Sequence, residues 1–144
     1  MISIKQVLEN KKARVLACVN SGESVQRAAD LMKELDIGAI LVIDDGELNG
    51  IITERDCVQK VMAHKLDADS TAVREAMTSK VRYATPEQTV DECLALMTER
   101  FFRHLPVLDE QKNVLGIVSI GDMVKVKISD QEFIIGQLEK YIST

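Results

Sequence analysis

The sequence predicts an α/β (α+β) protein built of two β-α-β-β-α repeats packed around a pseudo-two-fold axis. Three observations carry this expectation. Short apolar runs of strand length alternate with segments whose apolar residues recur at helical spacing. The second half of the chain repeats the first at an offset of 65: Ser24 matches Thr89, Val25 matches Val90, Leu31-Met32 matches Leu96-Met97, Glu34 matches Glu99, Val42 matches Val107 and Asp44 matches Asp109. One residue inserted in the second hairpin moves the offset to 66, so Gly50-Ile51 matches Gly116-Ile117 and Val58 matches Val124. Each half also closes on the same pattern of Gly-Ile-hydrophobic-hydroxyl-x-x-Asp, first as Gly50-Ile51-Ile52-Thr53-Glu54-Arg55-Asp56 and then as Gly116-Ile117-Val118-Ser119-Ile120-Gly121-Asp122. A single half is small and would leave one sheet face bare, so the two halves are expected to pack together.

Taken in order, residues 4–8 suit one or two helical turns, and the polar residues 9–12 a turn. Residues 14–19 are a short apolar run and read as a strand, broken by Asn20-Ser21-Gly22. Ser24 then caps a helix with apolar positions Val25, Ala28, Ala29, Leu31, Met32 and Leu35, which Gly38 is expected to end. Residues 39–43 form a buried strand, Asp44-Asp45-Gly46 a hairpin turn and residues 48–53 the partner strand, with a second helix from Asp56 to about His64. The mixed polar stretch 65–72 reads as a linker.

The second repeat follows the same plan. Residues 73–77 parallel 4–8, residues 81–84 are expected to be a strand, and Thr85-Pro86-Glu87 breaks it. Thr89 caps a helix carrying Val90, Cys93, Leu94, Leu96 and Met97, then residues 105–108 and 114–118 form a hairpin, and a helix runs from Asp122 to about Ile128. The expected domains are therefore a first repeat at 1–64, a linker at 65–72, a second repeat at 73–128 and a separate amphipathic helix at 129–144. Phe133, Ile134, Leu138, Tyr141 and Ile142 lie at helical spacing in that last segment, which suits either a helix packed on its own domain or a subunit contact.

Composition narrows the function classes. With 18 Lys and Arg against 23 Asp and Glu the net charge is −5, so the chain has no general attraction for nucleic-acid phosphates, and no nucleic-acid partner is expected. Three cysteines with no CxxC spacing argue against a disulfide framework or a metal site; Cys18 and Cys93 read as small core residues. No secretory leader or stretch of about 18 apolar residues is present, so a cytoplasmic location without membrane partners is expected. Catalysis needs a positioned nucleophile, acid–base pair or metal, and no such set has convincing spacing; neither GxxxxGK[ST] nor GxGxxG occurs. Cys57 follows Asp56 at a helix start, but no base accompanies it and a packed thiol is the plainer reading. A nonenzymatic protein is expected.

The repeated motif itself has two readings. Thr53 and Ser119 at strand-to-helix junctions, followed three residues later by Asp56 and Asp122, are sound N-caps, and carboxylates suit the positive end of a helix. Two copies in matched context also suit a repeated binding site. Arg103 and His104 can be a solvated helix end or an anion contact, and Arg55 opposes the dipole of its own helix unless an anion sits there.

The repeat, with its Gly-h-h-Thr/Ser-x-x-Asp closure and with Arg103-His104-Leu105-Pro106-Val107-Leu108-Asp109 in the second half, resembles a tandem pair of cystathionine-β-synthase-type (CBS) domains, a stand-alone Bateman module, over roughly residues 4–128. The resemblance implies a regulatory sensor that binds adenosine-containing ligands (AMP, ATP, NAD(H) or S-adenosylmethionine) in two clefts between the repeats, pairs into a homodimer and signals by conformational change to an effector protein. Carried over by position, Asp56 and Asp122 would hold ribose hydroxyls; Thr53, Arg55, Ser119, Arg103 and His104 would approach phosphate; and Val19, Ile40, Ala84 and Pro106 would flank the adenine. The first repeat has Gly38-Ala39-Ile40-Leu41 where the second has Arg103-His104-Leu105-Pro106, so the two sites are expected to differ. The alternative is a scaffold that keeps the fold, binds no ligand and works through protein contacts.

Overall fold

A computed structural model describes residues 1–11 and 16–143. The chain forms mixed helices and strands in two compact units, one made of residues 15–82 and the other of residues 1–14 with 83–144.

In the first of these units, β1 (Cys18–Val19) pairs in parallel with β2 (Ala39–Asp44), which pairs antiparallel with β3 (Glu47–Thr53). Two of the residues expected to open β1, Arg14 and Val15, lie outside the described residues. Asp45 and Gly46 take positive φ values of 50° and 80°, the requirement of a two-residue hairpin turn. Between β1 and β2 runs α2 (Val25–Leu35), capped by the Ser24 hydroxyl, which accepts from the Arg27 amide. It stops at Asp36, which adopts the left-handed conformation (φ 53°) while Ile37 N donates to Met32 O. Gly38, expected as the stop, only follows it. Phe101 ends α5 (Val90–Arg100) in the same conformation (φ 59°), at the matching position of the second repeat.

The segment after β3 departs from a plain helix. A single turn, α3 (Glu54–Asp56), runs on as a π-helical stretch over Cys57–Met62. Residues 65–72, expected as a linker, are tied back onto α2: Val25 N donates to Thr71 O and Gln26 N to Ala68 O. The short α4 (Val73–Ala76) then closes the unit, burying Val73 and Ala76 among Val19, Ile40, Ile52 and Val61.

The other unit holds α5, the hairpin β4 (His104–Leu108) and β5 (Val114–Ser119), and α6 (Ile120–Ser143). Residues 81–84, expected as a strand, contribute one parallel bridge, Ala84 to Val107. Pro106 supplies the reason. In the first repeat Leu41 N donates to Ala17 O and extends the β1–β2 ladder by one bond. Pro106 stands at the position of Leu41 and has no N–H to donate, so the matching bond to residue 82 cannot form. Ala84 keeps the two bonds that need no such donor, Ala84 N to Pro106 O and Leu108 N to Ala84 O.

The helix that opens each repeat packs in the unit of the other repeat. α1 (Ile4–Asn10) buries Ile4 and Val7 in a core with Ala84, Val90, Met97, Val107 and Met123. Ser3, its N-cap, bridges to Thr89, the cap of α5; Ala72, before α4, bridges in the same way to Ser24, the cap of α2. The compact units therefore cross the boundaries 1–64 and 73–128 that the repeat alone suggests. A second difference concerns the C-terminus: the helix expected to end near Ile128 and the one expected over 129–144 are a single 24-residue helix, α6.

Candidate functional site

Each unit brings its hydroxyl and its aspartate together at the end of a hairpin. In β2–β3 the register places Ala39 opposite Thr53, and Glu54 N donates to Gly38 O, which turns the chain from the strand into α3. The Thr53 amide and hydroxyl both donate to Asp56 Oδ2 at 3.0 Å, and Asp56 N donates back to Thr53 Oγ1 at 3.1 Å. Lys60, one turn on, sits 3.0 Å from Asp56 Oδ1. The first carboxylate is thus a reciprocal cap held from the other side by a cation.

The second copy repeats the cap with a different cation. Ser119 N donates to Asp122 Oδ2 at 2.8 Å, and Asp122 N donates to Ser119 Oγ at 3.0 Å. Lys11 Nζ lies 2.9 Å from the same Oδ2 and donates to Ile117 O at 2.8 Å. Burial works against the charge on Asp122, but the hydrogen bonds from Lys11 and Ser119 and the Lys11 charge outweigh it, holding the carboxyl below its ordinary value. Lys60 was legible as an i,i+4 partner of Asp56. Lys11 was not, since 111 positions separate it from Asp122 and it reaches the site only because α1 packs in this unit.

Arg103 and His104 arrive at the same end of the second hairpin. His104 is opposite Ser119 in the ladder, and Ile120 N donates to Arg103 O. Arg103 is exposed and His104 half-buried. The structure therefore brings Arg103, His104, Ser119 and Asp122 together, with Lys11 added. In the other unit Thr53, Arg55 and Asp56 cluster, with Arg55 exposed. The four apolar candidates are interior: Val19 and Ile40 belong to the core of their unit, Ala84 to the core of the other, and Pro106 is buried in β4.

Burial keeps two of the thiols in the neutral form. Cys57 is half-buried, and burial followed by the charges of Asp56 and Glu54 raises its pKa; burial likewise raises that of Cys93. Cys18, expected in the core, is exposed, because β1 alternates and turns Val19 inward instead. Among the described residues no group of three or more His, Cys, Asp and Glu could hold a metal ion, and no helix is long and apolar enough to cross a membrane.

A family model described as the CBS domain matches the chain twice, over residues 12–63 and 73–129. The chain belongs to the CBS-domain family, as a tandem pair. It is 32% identical over 131 residues to the CBS domain-containing protein YhcV of Bacillus subtilis, spanning 91% of this chain and 89% of that one. A solved protein with CBS domains from Burkholderia ambifaria is 46% identical with a TM-score of 0.86, covering 90% of this chain and 96% of that one. The CBS domain pair of a third protein, solved in complex with 5′-methylthioadenosine and S-adenosyl-L-methionine, shares the fold at a TM-score of 0.78 and 24% identity, over 90% of this chain and 98% of that one.

Proposed function

We propose that this protein is a nonenzymatic, cytoplasmic regulatory module that binds adenosine-containing ligands at two sites, one closed by Thr53 and Asp56 and the other by Ser119 and Asp122. The observation that carries the reading is the double occurrence of one constellation, a hydroxyl and a carboxylate fixed at a strand-to-helix junction, in a tandem CBS pair. A carboxylate offers about four acceptor sites. The bonds described use three on Asp56 and two on Asp122, so each keeps acceptor capacity for a ribose hydroxyl. In the second site Lys11, Arg103 and His104 would face phosphate or another anionic group; in the first Arg55 would do so. The backbone of the strands holding Val19, Ile40, Ala84 and Pro106 would border the base, since their side chains are core. A pair of the same fold was solved with two adenosine derivatives, and the proposed ligand class is consistent with that complex. Ligand binding would favour one conformation of a homodimer, and an effector protein would read it.

The scaffold reading has an observation of its own: both aspartates already serve as caps, a role that needs no ligand. A thermal-shift panel of AMP, ADP, ATP, NAD, NADH and S-adenosylmethionine separates the two. A ligand at about 100 times its dissociation constant stabilises by about 2.7 kcal/mol and moves the melting midpoint by several degrees. A dose-dependent shift with one member is the expected result. No shift with any member at millimolar concentration transfers the assignment to the scaffold.

A further inference from the structure

The face of α6 that its own unit leaves uncovered has a period of its own. Met123 is fully buried, and Ile120 and Val126 pack against the same core, so that side of the helix is satisfied. A second row, Val124, Ile128, Gln131, Ile135, Leu138 and Ile142, advances by alternating steps of four and three. That is a heptad seam, with isoleucine at every a position (128, 135, 142) and Val124, Gln131 and Leu138 at d. The helix runs without a break through all of it, and Ile135, Leu138 and Ile142 are 54%, 56% and 81% exposed. Most of the seam lies beyond residue 129, where the CBS match ends.

We infer that this seam is an interaction surface whose occupant is the same helix of a second copy of the chain, in a parallel two-stranded coiled coil. The inference names the surface and orientation of the proposed homodimer and does not depend on nucleotide binding. Isoleucine at a, with Leu138 at the one large apolar d position beyond residue 129, suits two parallel strands. The polar residue fixes the orientation. In parallel register Gln131 meets its own copy and the two amides bond to each other; antiparallel, Gln131 faces Ile135 of the other copy and its amide is buried against hydrocarbon. The flanking charges agree. Lys127 at g, which also pairs with Asp91 of its own chain, faces Glu132 at e of the second copy in the parallel arrangement, whereas the antiparallel one sets Glu132 against Glu132. The flanking Ile134 and Tyr141, 49% and 83% exposed, widen the apolar stripe. At roughly 100 Å² for each large side chain the stripe offers several hundred Å² per copy, approaching the ~800 Å² per partner of a standard interface. A membrane fits poorly, because residues 129–143 carry Asp130, Glu132 and Glu139 against Lys140 alone.

The test uses the full chain with Cys18→Ser, which removes the exposed thiol. Wild type sediments as a dimer at micromolar concentration, and Ile135→Asp raises the dimer dissociation constant at least ~10-fold with its circular dichroism spectrum unchanged. Under mild oxidation Gln131→Cys forms a covalent dimer, while Gln137→Cys, on the opposite side of the helix, does not. A self-cross-link at Ile134→Cys stronger than at Gln131→Cys overturns the parallel orientation. Dimers that neither cross-link at 131 nor weaken with Ile135→Asp overturn the seam while leaving a homodimer through another surface. A monomeric wild type overturns both, and assigns the stripe to a different protein. Nucleotide shifts in the thermal panel are unaffected by any of these outcomes.

Discussion

Lys11 makes two bonds at the second site, one to Asp122 Oδ2 and one to the carbonyl of Ile117. Both side chains of the ion pair are about a quarter exposed, 26% and 25%, so solvent screens it only in part. Lys11→Met leaves Asp122 partly buried without its cation and should cost about 1 kcal/mol at neutral pH. The pH dependence identifies the cause. Asp122 has a folded-state pKa below its ordinary value of 3.8. Its ionised form therefore contributes stability that is fully present above 3.8 and is lost as pH falls through the depressed folded value. In the variant the carboxyl returns toward its ordinary value, so the gap between wild type and Lys11→Met should be constant from pH 7 down to about 4 and narrow below that. Urea denaturation at pH 7, 5 and 3 measures it. A gap that persists at pH 3 would mean that the loss comes from the Ile117 contact rather than from the charge.

The two repeated glycines show how equivalent positions acquire different costs at the scale of an element. Each lets the helix from the other repeat approach a strand. A Cβ built on Gly116 meets only Leu8 Cδ2, at 2.9 Å, the end of a side chain that can rotate away. On Gly50 it meets Met77 Sδ at 2.6 Å and Thr78 O at 2.9 Å, and that carbonyl is fixed by the bond from Ile51 N. Gly50→Ala is therefore expected to destabilise by about 2 kcal/mol and Gly116→Ala by less than 1 kcal/mol, as separate denaturation curves would show. Equal losses would mean that the strand, not the helix, gives way. The glycine pattern was legible in the sequence, as were the caps Ser24 and Thr89 and both hairpins, because each depends on residues within one turn or one loop. What was not legible depends on tertiary partners. The exchange of α1 and α4 between units is invisible to a repeat alignment, and with it the place of Lys11. Pro106 was read as a ligand-side residue, while its missing donor shortened the strand that ends at Ala84. The stop at Asp36 was missed because a left-handed aspartate looks like any other helix-surface acid. The continuity of α6 was missed because the repeat ends near Ile128 and the boundary was placed there, yet Ser129 sits in mid-helix with no breaker beside it.

At the scale of the whole molecule, the question is whether two similar motifs make two equal sites. The caps are nearly superimposable in chemistry, but their surroundings are not. Asp56 is paired with a lysine one turn on, and the strand facing Thr53 is entered through Gly38-Ala39, with no charge. Asp122 is paired with the lysine that caps the distant α1, and the strand facing Ser119 is entered through Arg103-His104. On the facing strand the second site thus offers a guanidinium and an imidazole where the first offers neither, its own cation Arg55 lying instead on the helix start, and charge-assisted hydrogen bonds to an anionic group are worth roughly twice neutral ones. If the proposed function is correct, titration calorimetry with the nucleotide that shifts the melting midpoint should resolve two unequal binding events. Asp122→Ala should remove the stronger and Asp56→Ala the weaker. A phosphorylated ligand should separate the two by about tenfold or more, since one additional charged hydrogen bond of about 1.5 kcal/mol corresponds to that factor. Unphosphorylated adenosine should bring them closer together, because only the ribose and base contacts then remain. Equal affinities for both ligands would show that Arg103 and His104 face away from the bound group, and wild-type stoichiometry in both aspartate variants would remove these residues from the site altogether.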